Sequence, residues 1–197
     1  MLYVGIRWFF IQIFRFCYRW DVRGLENLPN EGPYILCSNH ISWWDPPLIG
    51  SIVRNRQVHF MAKEELFRIP VFSQIIKGIN VFPVKRGSAD RRAIKTALDI
   101  LKNGNILGLF PEGTRSKTDE LLPPQAGVGL IALKSEAPVI PVAIIGPYRL
   151  FKPIQVKIGE PLEFTEYYGQ KAKAEQLEQI AAAIMANIGR LRQVNNA

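Results

Sequence analysis

The sequence predicts an α/β fold in which a largely parallel central sheet is flanked by helices. Three observations carry that expectation. Short apolar runs of strand length alternate with segments of helical periodicity along most of the 197 residues. The chain is long enough for one such domain with a sizeable core. The polar motifs directly follow the apolar runs, as they do where chemistry gathers at the carboxyl ends of parallel strands.

Residues 1–20 open the chain with Trp8, Phe9, Phe10, Phe14, Phe16, Tyr18 and Trp20 and no acidic residue. Arg7, Arg15 and Arg19 are spread along the segment, which suits neither a signal peptide nor a membrane-spanning helix. At about 100° per residue, Arg7, Gln12, Arg15 and Arg19 share one arc of roughly 140°, and the rest of the surface is apolar. The pattern predicts an amphipathic helix in the membrane interface, with arginines at phosphate level. The alternative is a helix buried against the domain's own core.

Residues 21–32 carry Gly24, Pro29 and Gly32 and read as a linker and turn. Residues 34–38 form a buried strand. A helix starts near Asp45 and Pro46, with Asp as N-cap and Pro at the first helical position. Residues 58–62 are a second strand, and 63–77 are helical but broken at Pro70. Pro83 places the strand 81–84 at an edge. A helix over 88–103 is capped by Ser88 and stopped at Gly104. Then follow a strand at 106–110, a helix at 128–134, and strands at 139–145 and 154–158. In 171–193, Leu177, Ile180, Ile184, Ile188 and Leu191 share one helix face. The expected organisation is an N-terminal helix, residues 1–20, and one α/β domain, residues 21–197.

Hydrophobic residues make up 48% of the chain, which marks a folding chain and excludes intrinsic disorder. The net charge of +8 favours anionic partners, whether nucleic acid, anionic lipid, phosphorylated metabolites or an acidic carrier protein. Cys17 and Cys37 form no C-x-x-C pair, and no His/Cys cluster has metal-ligand spacing. Reduced thiols and no metal are expected.

His40 and His59 are the two histidines. His40 leaves an apolar strand, and Asp45 follows across a short loop. A carboxylate folded back onto one imidazole nitrogen fixes the tautomer and leaves the other nitrogen free to take a proton. Such an imidazole suits general-base work on a hydroxyl near neutrality. The competing reading of Asp45 as an ordinary N-cap is compatible, since a carboxylate has two oxygens. His59 sits mid-strand and reads as structural. There is no G-x-S-x-G elbow, although Ser38 and Ser42 lie near His40 and leave a covalent acyl-enzyme open.

Lys85 and Arg86 end the strand 81–84 beside Gly87, and Arg86 offers a planar fork for a phosphate. Between Arg54 and Lys95 there are ten Lys/Arg against three Asp/Glu. This is either a phosphate site or a solvated basic face. The run Phe110-Pro111-Glu112-Gly113-Thr114-Arg115-Ser116 follows another strand. Gly113 permits close backbone approach, Arg115 adds a second cationic fork, and Glu112 could hold an acceptor hydroxyl or orient Arg115.

Taken in order, these segments resemble the 1-acylglycerol-3-phosphate acyltransferase family. The resemblance rests on Asn39, His40 and Asp45; on Phe82, Pro83, Val84 and Arg86; on residues 110–116; and on Val139, Ile140, Pro141 and Val142. It covers roughly residues 20–165. It implies that His40 is the base and Asp45 its partner. It implies that Lys63, Arg86, Glu112, Gly113, Thr114 and Arg115 bind the acceptor's glycerol phosphate. The implied reaction moves a fatty acyl group from acyl-CoA or acyl carrier protein to the sn-2 hydroxyl of lysophosphatidic acid, giving phosphatidic acid without a further cofactor. The enzyme is expected on the cytoplasmic face of the cell membrane, peripheral or monotopic, against an anionic surface. Alternatives are a related acyltransferase for glycerol 3-phosphate or another lysophospholipid, and a non-catalytic basic module for membrane or nucleic acid. No nucleic-acid motif is present, so no nucleic-acid partner is expected.

Overall fold

The computed structural model describes residues 2–54, 56–85, 90–118, 120–171 and 173–193. Arg86 and Ser88 lie outside the described residues. The elements in chain order are α1 (Leu2–Cys17), β1 (Asp21–Arg23), β2 (Tyr34–Ser38), α2 (Asp45–Ile52), β3 (Val58–Lys63), α3 (Pro70–Gly78) and β4 (Val81–Val84). Then come α4 (Arg91–Lys102), β5 (Ile106–Leu109), α5 (Ala126–Ser135), β6 (Val139–Ile145), β7 (Gln155–Ile158) and α6 (Ala174–Gln193).

The sheet runs β1-β7-β6-β2-β5-β3-β4. All neighbours are parallel except β6 and β7. The α/β expectation therefore holds, with one antiparallel junction. β4, which carries Pro83, is an edge strand as its missing N–H requires. Within the stretch expected to be a linker, β1 forms a three-residue strand against β7. So short a run has no periodicity to read.

Alternation along the strands builds two cores. Ile35, Cys37, Leu107, Leu109 and Val139 face α4, α5 and α6, which contribute Leu101, Ile131 and Ile184. Tyr34, Leu36, Ile106, Ile140 and Val142 face α1 and α2, which contribute Phe14, Leu48 and Ile49. α5 and α6 cross closely, because a Cβ on Gly129 would lie 2.2 Å from the Leu177 carbonyl oxygen. Ile180, Ile184 and Ile188 form the buried face of α6.

Two local expectations change. The stretch 63–77 is a 3-10 turn over Glu64–Arg68 followed by α3, which Pro70 starts. α4 begins at Arg91, and its N-cap is Asp90, whose carboxylate accepts the Arg92 and Ala93 N–H groups at 3.0 and 3.1 Å. His59 serves structure, as expected: its Nδ1 meets the Ile106 carbonyl of β5 at 3.2 Å.

α1 packs on α2 and buries Phe14 completely. The expected arginine arc is divided between the body of the protein and solvent. Arg7 turns toward the body of the protein and donates to the Arg54 carbonyl. Arg15 and Arg19 are exposed, as are Trp8, Phe9 and Phe16. Packing decided this: the arc centred on Phe10 and Phe14 fits the aromatic cluster of Trp20 and Trp44. Among the described residues, no helix is long and apolar enough to cross a membrane.

Candidate active site

β2, β3, β4, β5 and β6 run parallel, so their carboxyl ends share one edge of the sheet. That edge carries the His40 loop, the loop at 110–116, and Lys63 and Lys85 at the ends of β3 and β4. β2 is buried over its whole length and hands the chain to Asn39 and His40. The Asn39 amide donates to the Ile144 carbonyl at 3.0 Å and accepts the Ile144 N–H at 2.8 Å. It thus extends the β2–β6 ladder with a side chain and pins the backbone just before His40.

The His40 ring stacks on Phe110 at 4.1 Å between centroids and 20° between planes. Its Nδ1 is 2.7 Å from Asp45 Oδ2. An ionised carboxylate only accepts, so Nδ1 carries the proton and Nε2 is the basic nitrogen. Among the described residues, no side chain hydrogen-bonds Nε2. The His40 N–H donates to Glu112 Oε1 at 2.8 Å, and the His40 carbonyl accepts the Ser116 N–H at 2.8 Å. The imidazole is thereby held on its face, one edge and the backbone, and one basic edge is left over.

Asp45 is fully buried. It is the first residue of α2, and the N-cap is Trp44, so the capping reading is corrected. Its Oδ2 accepts the Ile41 and Ser42 N–H groups at 2.6 and 2.7 Å beside the His40 bond. These donors folded the intervening loop back onto the carboxylate. Its Oδ1 accepts the Tyr148 hydroxyl at 2.7 Å. The position at the start of α2 also favours negative charge there.

Glu112 is buried, and its second oxygen accepts the Leu122 N–H at 3.0 Å. It ties the His40 backbone to the β5 loop; it does not orient Arg115. The Arg115 guanidinium lies 3.9 Å over the exposed Trp43 ring. Gly113 turns the chain at φ 67°, where a side chain is strained and a Cβ would crowd Gln125 at 3.1 Å. Thr114 is exposed. Lys63 ends β3, with its Nζ 2.9 Å from Glu65 Oε1. Lys85, which precedes Arg86, is 3.9 Å from Glu64. Ser38 is buried and donates to the Asn39 carbonyl, and Ser42 accepts the Trp44 N–H.

Sequence reasoning passed over the Asn39 brace and Tyr148. Tyr148 follows β6 at the same sheet edge, so the rule that selected the other loops would have selected it too.

An acyltransferase family model matches residues 19–145. The chain is 35% identical over 176 residues to a 1-acyl-sn-glycerol-3-phosphate acyltransferase of Bacillus subtilis (strain 168), covering 87% of this chain and 85% of that protein. It is 29% identical over 185 residues to the protein of the same name from Streptococcus pneumoniae, covering 87% and 68%. The crystal structure of the 1-acyl-sn-glycerophosphate (LPA) acyltransferase PlsC from Thermotoga maritima superposes with a TM-score of 0.74 at 31% identity, covering 98% of this chain and 81% of that one. With its His40–Asp45 pair at the shared strand ends, the chain belongs to the 1-acyl-sn-glycerol-3-phosphate acyltransferase family.

Proposed function

We propose that this protein transfers a fatty acyl group from a thioester, acyl-CoA or acyl carrier protein, to the sn-2 hydroxyl of 1-acylglycerol 3-phosphate, forming phosphatidic acid. The observation that carries the mechanism is the buried 2.7 Å contact between His40 and Asp45, with Nε2 left unpartnered among the described residues. His40 Nε2 takes the proton of the acceptor hydroxyl as its oxygen attacks the thioester carbonyl. The C–O bond forms, the C–S bond breaks, and the imidazolium returns the proton to the leaving thiolate. Asp45 balances the imidazolium charge during the step. Lys63, Arg86, Thr114 and Arg115 receive the acceptor's phosphate, and Gly113 gives the 110–116 loop its turn. A basic module with no chemistry would have no use for a buried imidazole–carboxylate pair.

The test is acyl transfer from a labelled thioester with lysophosphatidic acid, glycerol 3-phosphate or no acceptor. Thiol release that depends on lysophosphatidic acid, with labelled phosphatidic acid as product, is expected. Equal or preferred transfer to glycerol 3-phosphate would replace the acceptor assignment.

The same reading places the protein on the cytoplasmic leaflet. Trp8, Phe9 and Phe16 on α1 are all more than half exposed, as are Leu150 and Phe151 in the loop after β6. The Phe151 N–H donates to the Cys17 carbonyl at 2.6 Å, so the loop abuts the end of α1. Arg15, Arg149 and Lys152 flank this apolar surface, and neither 2–20 nor 146–153 contains an acidic residue. Aromatic rings with a basic rim match an anionic bilayer. Changing Trp8, Phe9 and Phe16 together to Ser is expected to lower flotation with anionic vesicles by more than about tenfold. The fold should persist, because the buried Phe14 is untouched. Unchanged flotation would remove the bilayer contact.

A further inference from the structure

We infer that Tyr148 is a positioning residue for the His40–Asp45 pair, holding the outer oxygen of Asp45 by a hydrogen bond so that the inner oxygen stays aimed at the imidazole. The inference rests on the base role proposed above for His40.

The carboxylate of Asp45 is buried and its two oxygens are differently furnished. Oδ2 accepts the His40 ring and two backbone N–H groups. Oδ1 has the Tyr148 hydroxyl, at 2.7 Å, as its donor among the described residues. Partial rotation about the Cβ–Cγ bond would swing the carboxylate plane away from His40 and break the contact. A donor on each oxygen opposes that rotation. Tyr148 reaches Asp45 from a separate part of the chain, the loop between β6 and β7. Its ring is set edge-on against Tyr18 at 5.9 Å and 77°, so its approach is fixed by packing. Burial, and after it the Asp45 charge, hold the phenol well above its usual pKa, so it stays a donor throughout the working range.

The bond also tempers the carboxylate. A hydroxyl donating to Oδ1 draws off part of the negative charge that would otherwise stabilise the imidazolium. Among the described residues, the Glu112 carboxylate on the His40 N–H and the Tyr18 phenol against Tyr148 are the titratable groups in contact with this assembly. Neither hydrogen-bonds Oδ1.

The experiment is Tyr148→Phe in the full chain, assayed with labelled acyl thioester and lysophosphatidic acid across pH, beside His40→Ala. Tyr148→Phe should lower kcat about tenfold with both Michaelis constants little changed. Without the donor, the carboxylate holds the imidazolium more firmly, so the acidic limb of kcat/KM should move up by about half a pH unit. Replacing Tyr148 with 3,5-difluorotyrosine, a stronger donor of the same shape, should move the limb the other way. A kcat loss with an unmoved limb in both variants is loss of packing only and overturns the inference. So does normal kcat in Tyr148→Phe while His40→Ala is inactive. If His40→Ala itself stays active, the base assignment fails first, whatever Tyr148 does.

Discussion

Replacing His40 by Ala is expected to lower turnover by more than about a hundredfold, the range a positioned general base contributes. Among the described residues, no neighbour is placed to take over. Glu112 has both oxygens on backbone N–H groups, and Asp45 is buried behind the ring. The protein should remain folded. Asp45 keeps the Ile41, Ser42 and Tyr148 donors, so no buried charge is stranded. The His40 backbone keeps its bonds to Glu112 and Ser116. Turnover should be measured on protein whose circular dichroism and urea midpoint match the parent. Near-normal turnover would remove the proposed mechanism.

The second large effect is expected at Glu112, where structure and resemblance lead to different results. Its carboxylate receives two N–H donors, one on each oxygen, at 2.8 and 3.0 Å. Gln can offer an oxygen to only one of them and must set its own NH2 against the other. A buried donor left without an acceptor costs about 1–3 kcal/mol. Glu112→Gln should therefore lower the unfolding free energy by an amount in that range, read as a lower urea midpoint. It should also lower kcat about tenfold or more, because the His40 backbone shifts and small misplacements of a catalytic group are expensive. The acceptor's KM should change little. A residue that held the acceptor directly would behave the other way, with a raised acceptor KM and unchanged stability. That outcome would restore the role implied by the family resemblance.

The strands and helices were legible in the sequence because burial imprints its period on the residues. The buried run of β2 and the Ile180, Ile184, Ile188 face of α6 are examples. The His40–Asp45 pair was legible because it is local: five positions separate the two, and a short loop suffices to close the contact. The Asp90 cap was missed in favour of Ser88, since several polar residues before a helix compete for that role and only backbone placement chooses among them. The strand β7 was expected, but not its antiparallel direction, because an apolar run reads alike in either direction.

By itself, then, the sequence determined the alternating architecture, the loops that carry chemistry, and the imidazole with its carboxylate. The tertiary structure alone decided which face of α1 turns inward, that Glu112 is a brace, and that Asn39 and Tyr148 secure the pair. Those contacts join residues 72, 105 and 103 positions apart. Local periodicity says whether a side chain is buried; only the order in which strands assemble says what it meets there.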